Sequence, residues 1–379
     1  MKFRVERDVL AEAVAWAARG LASRPTMPVL AGLLLHLEDS TLRISGFDLE
    51  ASSEVDLEVS ADGEGSALVS GRLLAEISKA LPPHPVEVIA DGAKLSINCG
   101  ASKFTLPMMP VEDYPKLPAM PTTAGTVSGA AFATAVAQVA LAAGRDDTLP
   151  MLTGVRLEID GTKLTLAATD RYRLAVRELA WSPANPSAEP VQVLVPARSL
   201  ADAARSLAGG QELTIALSAG GAGEGIIGFD GGGRRATTRL LDAQFPPYRS
   251  LLPNDWASNA EITVAPVVEA VKRVALVADR GTPVKLEFAD QTLSLTASGE
   301  NESQAEEQIE VQFDGESITT AFNPQFLLDG LGALETSSAR LLFTSANKPV
   351  VLKPTTPENG DGESTDDYTY LIMPVRLPG

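Results

Sequence analysis

The sequence predicts an α+β protein built from three copies of one unit, each with two helices packed on antiparallel sheets. Three observations lead there: a hairpin pattern that recurs along the chain, two helical patterns flanking every hairpin, and proline-rich joints between the copies. The hairpin is plainest in "MPVLAGLLLHLEDSTLRISGFDLEAS" and "LPMLTGVRLEIDGTKLTLAATDRYRLA". An offset of 122 carries Pro28 to Pro150, Leu35 to Leu157, Leu42 to Leu164, Ile44 to Leu166 and Asp48 to Asp170. A further offset of 129 reaches "TPVKLEFADQTLSLTASGENES", where Leu157, Leu164, Leu166 and Ala168 become Leu286, Leu293, Leu295 and Ala297. Apolar–polar alternation, a turn such as "DGT" and renewed alternation make a β-hairpin with one buried face. The period is far longer than the roughly 20–50 residues of solenoid repeats, so each copy is a domain.

The first helical pattern of each copy predicts helices over 7–19, 130–143 and 265–278; the second predicts 71–81, 197–208 and 324–334. All place apolar residues near i, i+3, i+4 and i+7, one buried stripe per helix. Pro266 and Pro324 fall in first turns, where the missing N–H costs nothing. Each second helix leads into further strands, such as "VEVIADGAKLSINCGASKFTLP", giving about eight short strands per copy. The joints "YPKLPAMPTTAG" and "FPPYRSLLPND" divide the chain into 1–121, 122–253 and 254–379.

Composition excludes several classes. At 379 residues with 45% hydrophobic content, the chain can bury a sizeable core, and no apolar run is long enough for a membrane helix. The start, "MKFRVERDVLAEAV", lacks the layout of a signal peptide, and a single cysteine, Cys99, fits a reducing cytoplasm. Two histidines, His36 in a strand and His84 in the "PPHP" turn, cannot supply a hydrolytic triad or a zinc site. The glycine-rich "SAGGAGEGIIGFDGGGRR" lacks GxxxxGK[ST] and leads into no helix, so it reads as loops around a hairpin. Asp48 and Asp170 are repeat partners, which favours a turn role over catalysis. The chain is expected to be no enzyme and to need no cofactor or metal.

The charge of −18 argues against simple attraction to nucleic acid or anionic lipid. It is unevenly spread: the six helical segments carry eight basic and six acidic residues, a net +2, so the remainder carries −20. Three domains in a row suggest an arc that a symmetric dimer would close, with twelve helices lining a mildly positive hole. The same counts also fit short amphipathic helices that are simply charge-balanced.

The phrases "RPTMPVLAGLLL", "ATDRYRLA", "FPPYRSLLP" and "YLIMPVRL", in register over three repeats, resemble the bacterial sliding clamps, the β subunits of DNA polymerase III. The resemblance covers essentially the whole chain. It implies a head-to-tail homodimer of six domains, closed as a ring around duplex DNA, that tethers the polymerase and confers processivity. Partners implied are duplex DNA, a second copy, the polymerase III alpha subunit, the clamp-loader delta subunit and other proteins with short clamp-binding peptides, and no membrane.

By matching position, the resemblance places a peptide groove at Leu152, Thr169, Arg171, Tyr172, Arg173, Leu174, Pro246, Leu251, Asn323, Phe326, Leu371, Met373, Pro374, Val375 and Arg376. The chemistry agrees, because a Met- and Leu-lined cleft adapts to apolar side chains and its arginines meet acidic groups. In "YLIMPVRL" the alternation of Leu371, Met373 and Val375 allows one face to be buried and the other to line the groove. The resemblance assigns a DNA contact to Arg24 and dimer contacts to Lys103, Phe104, Leu106 and Leu276; the basic helix residues Arg72, Lys79, Arg198, Arg205, Lys272 and Arg273 are secondary candidates for DNA.

There are departures. Arg171 and Tyr172 stand where the family often has glycine and histidine, Ser250 replaces a frequent arginine, and Pro378 and Gly379 extend the usual end. The loop "TTPENGDGESTDD" reads as a solvated, mobile excursion. A runner-up reading is therefore a specialised clamp duplicate or peptide-binding scaffold with an altered groove, for example one that resists a groove-binding inhibitor.

Overall fold

The recurring hairpins form where the alternation places them. The strand pairs are Gly32–Glu38 with Thr41–Phe47, Gly154–Asp160 with Lys163–Thr169, and Val284–Ala289 with Thr292–Ser298. Their registers are equivalent: Leu35 faces Ile44, Leu157 faces Leu166 and Leu286 faces Leu295, every one of them buried. A leucine or isoleucine so buried contributes about 1.5–3 kcal/mol. The turns match too, with left-handed backbone at Asp39, Gly161 and Asp290, which the two offsets superimpose. The computed structural model describes residues 1–22, 25–186, 189–209, 212–218, 225–253, 255–279, 281–299, 303–355 and 367–376. The expected acidic excursion lies almost wholly outside these residues, as do Arg24, Pro378 and Gly379.

The six helices are α1 (Arg7–Ala17), α2 (Gly71–Ala80), α3 (Gly129–Ala140), α4 (Ala197–Leu207), α5 (Val264–Val274) and α6 (Pro324–Gly332) among the described residues. They end one to four residues before the periodicity does. After α5 the chain tightens into a 3₁₀ turn at Ala275–Val277. At the start of α6 the Asn323 side chain accepts the Gln325 N–H at 2.9 Å, an N-cap beside Pro324 in the first turn.

The chain gathers into two compact units, one of residues 1–133, 181–188 and 198–242, the other of 134–180, 189–197 and 243–379. The first is built on a fourteen-stranded sheet. There the second repeat's strand Arg234–Arg239 pairs antiparallel with the first repeat's Ala51–Glu58. Helices α1 and α2 pack together, and α1 also lies on Thr41–Phe47 and Ala51–Glu58. The second unit holds a nine-stranded and a four-stranded sheet. Its α5 and α6 pack together, α5 also lies on Thr292–Ser298, and α6 touches the last strand, Tyr368–Ile372. That strand is paired on both sides, to Arg173–Ala180 and to Val350–Thr355. Its apolar composition follows, because four of its five residues are buried.

The hairpin expected around the glycine-rich stretch is present, as Ile226–Gly231 with Arg234–Arg239. Cys99 is buried and free, its thiol turned toward the carbonyls of Pro82 and His84. His36 is exposed on its strand and hydrogen-bonded to the Ser66 hydroxyl at 2.8 Å.

Packing of α6 on the last strand is tight at one glycine. A methyl group added at Gly330 would lie 2.4 Å from Tyr370 Cε1, whereas at Gly332 it would meet nothing within 4 Å. Gly330→Ala is therefore expected to lower stability by about 1–3 kcal/mol. Gly332→Ala should match the parent or exceed it by up to about 1 kcal/mol. Paired thermal denaturation measures the contrast.

Candidate functional site

The turn that closes the second hairpin carries the centre of the site. Asp170 Oδ1 accepts the backbone N–H groups of Tyr172 and Arg173, both at 3.0 Å, while its Oδ2 accepts Arg173 Nε at 2.9 Å. Thr169 is buried beneath, its hydroxyl donating to the Arg173 carbonyl at 2.7 Å and accepting the Arg171 N–H at 3.2 Å. These bonds hold Arg171 at φ +79°, a left-handed conformation that costs a non-glycine residue about 1–2 kcal/mol. Glycine at this position would escape that cost.

Arg173 is turned inward, its side chain only 9% exposed, and its Nη1 donates to Asp329 of α6 at 2.5 Å. Its guanidinium also lies over the Phe326 ring, 4.4 Å from the centroid. Burial works against the charge, but Asp329, Tyr370 and Asp170 outweigh it and raise its pKa above the ordinary arginine value, so the cation is permanent. Tyr172, 56% exposed, stacks on Phe326 at 6.2 Å, leaving an aromatic face open to solvent.

Around these groups lies a cleft of about 630 Å³. Of the expected groove residues it is walled by Leu152, Arg171, Tyr172, Arg173 and Phe326. Asp170, Asp329 and Gln325 complete that side, and the segment after α3 supplies Ala143, Gly144, Arg145, Asp146 and Leu149. None of these eight was anticipated. The segment after α3 was open to discovery through the repeat, since Leu21 and Ala22 occupy its place one copy earlier. Asp329 was not, because no local pattern links it to an arginine 156 residues away.

The other expected residues are placed differently. Leu174 and Leu371 face each other in the strand pair and are buried, so they support the cleft from below. Asn323 serves as the α6 cap. The Met373 N–H donates to the Tyr172 carbonyl at 2.8 Å, and the Val375 N–H to the Ala321 carbonyl at 2.8 Å. This fixes the tail beside the turn, with Met373, Val375 and Arg376 exposed and Pro374 half-buried. The expected alternation therefore ends with the strand at Ile372: Leu371 is in the core, while Met373 and Val375 lie beyond the ladder and do not wall this cavity.

Pro246 and Leu251 also lie outside the cavity walls. Their segment is anchored by Tyr248, whose hydroxyl donates to buried Glu158 at 3.3 Å, with Arg156 and Arg249 pairing the same carboxylate at 2.6 and 2.5 Å. Burial first, and then the charge on Glu158, push the Tyr248 pKa up to about 12.

The helical cations are unequal. Arg72 pairs with Glu76, Arg205 with Asp202, Lys272 with Glu269, and Arg273 with Glu307. Lys79 and Arg198 are exposed and make no ion pair among the described residues. Of the expected dimer residues, Lys103 and Phe104 are exposed, but Leu106 is 1% exposed and belongs to the core of its own domain. Its side chain is thus removed from any contact surface. Among the described residues the strand has a ladder partner on one side only along Ser102–Pro107, because Gly65–Ser70 meets it just at Met108 and Met109. Leu276 is 82% exposed on the turn after α5.

A thrice-repeated α+β unit whose sheets continue by strand pairing from one repeat to the next, with a cleft beside the last strand, defines a DNA-clamp subunit. Family models of the DNA polymerase III beta subunit match along the chain, the N-terminal domain at residues 1–118, the central domain at 126–247 and the C-terminal domain at 249–376. The chain belongs to that family: it is a sliding clamp, a non-catalytic processivity subunit of DNA polymerase III. It is 56% identical over 381 residues to the beta sliding clamp of Streptomyces coelicolor, covering all of both chains. It is 45% identical over 378 residues to the beta sliding clamp homolog GriR of Streptomyces muensis, again over all of both. Among solved structures, the Pseudomonas aeruginosa sliding clamp bound to griselimycin matches with a TM-score of 0.90 at 27% identity, covering both chains completely. The Bacillus subtilis clamp matches with a TM-score of 0.90 at 26% identity, also over both complete chains.

Two expectations follow for the site. Asp170→Ala removes the acceptor of two backbone N–H groups and one partner of a buried arginine, and should cost about 3 kcal/mol. Asp48→Ala, which removes only the equivalent pair of N–H bonds, should cost about 1 kcal/mol; chemical denaturation distinguishes them. In the unfolded chain Tyr248 titrates near 10, below its folded value, so the stability it contributes is complete below about pH 10 and is lost as pH rises toward 12. Tyr248→Phe should therefore lose stability less steeply than the parent between about pH 10 and 12.

Proposed function

We propose that two copies of this chain, each with domains 1–121, 122–253 and 254–379, join head to tail as a six-domain ring that holds duplex DNA without regard to sequence. The cleft beside Tyr172 docks short peptides from the polymerase III alpha subunit, the clamp-loader delta subunit and other replication proteins in the cytoplasm. The observation that carries this reading is a family match along the whole chain combined with an open aromatic face, Tyr172 on Phe326, beside fixed arginines. Aromatic and arginine side chains of this kind dominate binding energy at interfaces. Leu152 and Leu251 offer apolar contacts, and Met373, Pro374, Val375 and Arg376 extend the docking surface beyond the cavity.

The dimer contact is formed by the open edge at Lys103 and Phe104 of one copy and by the region of Leu276 of the other. A second edge that is open among the described residues, Gln304–Glu310, presents Glu306, Glu307 and Glu310 beside the turn that carries Leu276. Its sign complements Lys103, and an unpaired edge favours ladder formation with a matching edge. On the DNA side, Lys79 and Arg198 make no ion pair among the described residues; Lys272, Arg273, Arg72 and Arg205 are paired with carboxylates. Arg24 completes the set. Contacts this few are weak and salt-sensitive, which suits a ring that slides.

The test is topological. Loaded by its clamp loader onto nicked circular DNA, the protein should remain bound in high salt and be released once the circle is cut. Leu276→Asp should sediment as a monomer and fail to be retained. Release of the parent protein from uncut circles by salt alone would overturn the reading.

A further inference from the structure

The cleft beside Tyr172 has a counterpart one repeat earlier. Within the first unit a cavity of about 490 Å³ is bordered by the end of α1, by α4, and by the paired strands Ala51–Glu58 and Arg234–Arg239. The offset of 122 carries its Asp48 and Ala51 onto Asp170 and Arg173. From α4 to α6 an offset of 127 carries its Ser199 and Asp202 onto Phe326 and Asp329. The turn geometry is also shared. Asp48 Oδ1 accepts the N–H groups of Glu50 and Ala51 at 3.0 and 2.7 Å, and Leu49 sits at φ +80° where Arg171 has +79°.

What differs is the cation. Asp170 and Asp329 both bind the guanidinium of Arg173, which also covers Phe326. In the earlier cavity both carboxylates are kept, but Ala51 replaces the arginine and Ser199 the phenylalanine. Among the described residues no basic group takes the vacated place. Asp202 pairs with Arg205 at 3.9 Å, Arg19 on the rim donates to the Ser206 hydroxyl, and Arg198 makes no ion pair among the described residues. The floor is apolar, formed by buried Trp16, Phe229 and Ala236.

We propose that this cavity receives an arginine side chain from a partner peptide, its guanidinium seated on Asp48 and Asp202 as Arg173 is seated on Asp170 and Asp329. The chain itself displays the recognition chemistry at the equivalent position, a planar cation with donors for two separate carboxylates. A lysine would reach the same place with a point charge and without the fork. The apolar floor favours an arginine flanked by aliphatic residues. This site is separate from the cleft beside Tyr172 and does not depend on that cleft's role.

The probe is a fluorescein-labelled Leu-Arg-Leu amide, titrated by anisotropy into the full-length protein, with citrulline replacing arginine as the uncharged isostere. The parent should bind the arginine peptide roughly tenfold or more tightly than the citrulline peptide. Asp202→Asn should weaken binding by a similar factor. Ala51→Arg supplies the cation from within, and should abolish binding while raising the melting temperature. Absence of saturable binding to the parent at millimolar peptide, equal binding of the citrulline peptide, or unchanged binding by Ala51→Arg would each overturn the proposal.

Discussion

A β-strand inside a sheet must satisfy its backbone donors and acceptors on both sides, and the second unit meets that constraint with the end of the chain. Tyr368–Ile372 lies between Arg173–Ala180 and Val350–Thr355, so the last strand closes a ladder between the second repeat and the third. The cleft depends on this closure. It sets the Met373 N–H against the Tyr172 carbonyl and brings Tyr370 under α6, where its hydroxyl donates to the Phe326 carbonyl at 2.8 Å. Phe326 is then held where Tyr172 stacks on it and Arg173 covers it. Without the ladder, the aromatic pair and the arginine would have no common frame.

Much of this architecture was visible in sequence because it is governed by local periodicity. Leu35 and Ile44, or Leu157 and Leu166, announce a hairpin by alternation, and the structure pairs those very residues. The turn role of Asp48 and Asp170 was readable too, since a short carboxylate can reach the N–H groups two and three residues on. What escaped is long-range or conformational. The Arg173–Asp329 pair joins distant residues, and the left-handed backbone of Arg171 contradicts its side chain. Phe104 and Leu106 share one face of a strand, yet only Leu106 is covered. Leu106 lies nearer the end paired at Met108 and Met109, and Phe104 lies toward the free end.

The repeats also separate what a scaffold dictates from what its side chains decide. Leu49 and Arg171 hold the same unfavourable backbone although neither is suited to it. The aspartate cap and the two flanking ladders impose the conformation, and the residue at that position bears the strain. Free of that decision, the neighbouring positions diverged. Where Arg173 and Phe326 occur, the carboxylates are neutralised from within and an aromatic surface faces solvent. Where Ala51 and Ser199 occur, the same carboxylates face a cavity. One geometry therefore presents two chemistries, because only the side chains that fill it have changed.

The net charge of −18 bears on how a clamp holds an anionic polymer. A protein that bound DNA by surface attraction would need a broad basic face, and its affinity would collapse with salt in proportion to the phosphates it neutralised. Here four of the six helical cations expected to meet DNA are already paired with carboxylates, and acidic residues crowd the edge strand Gln304–Glu310. Such a surface offers DNA no broad basic face. It also deters that exposed edge from indiscriminate pairing, since any ladder it joined would have to accommodate its glutamates. Retention by enclosure asks little of the cations, and the sequence is accordingly free to keep its acid in strands and loops. The charge that first argued against DNA is therefore compatible with a sliding clamp, since enclosure requires no broad basic face and weak phosphate contacts permit movement.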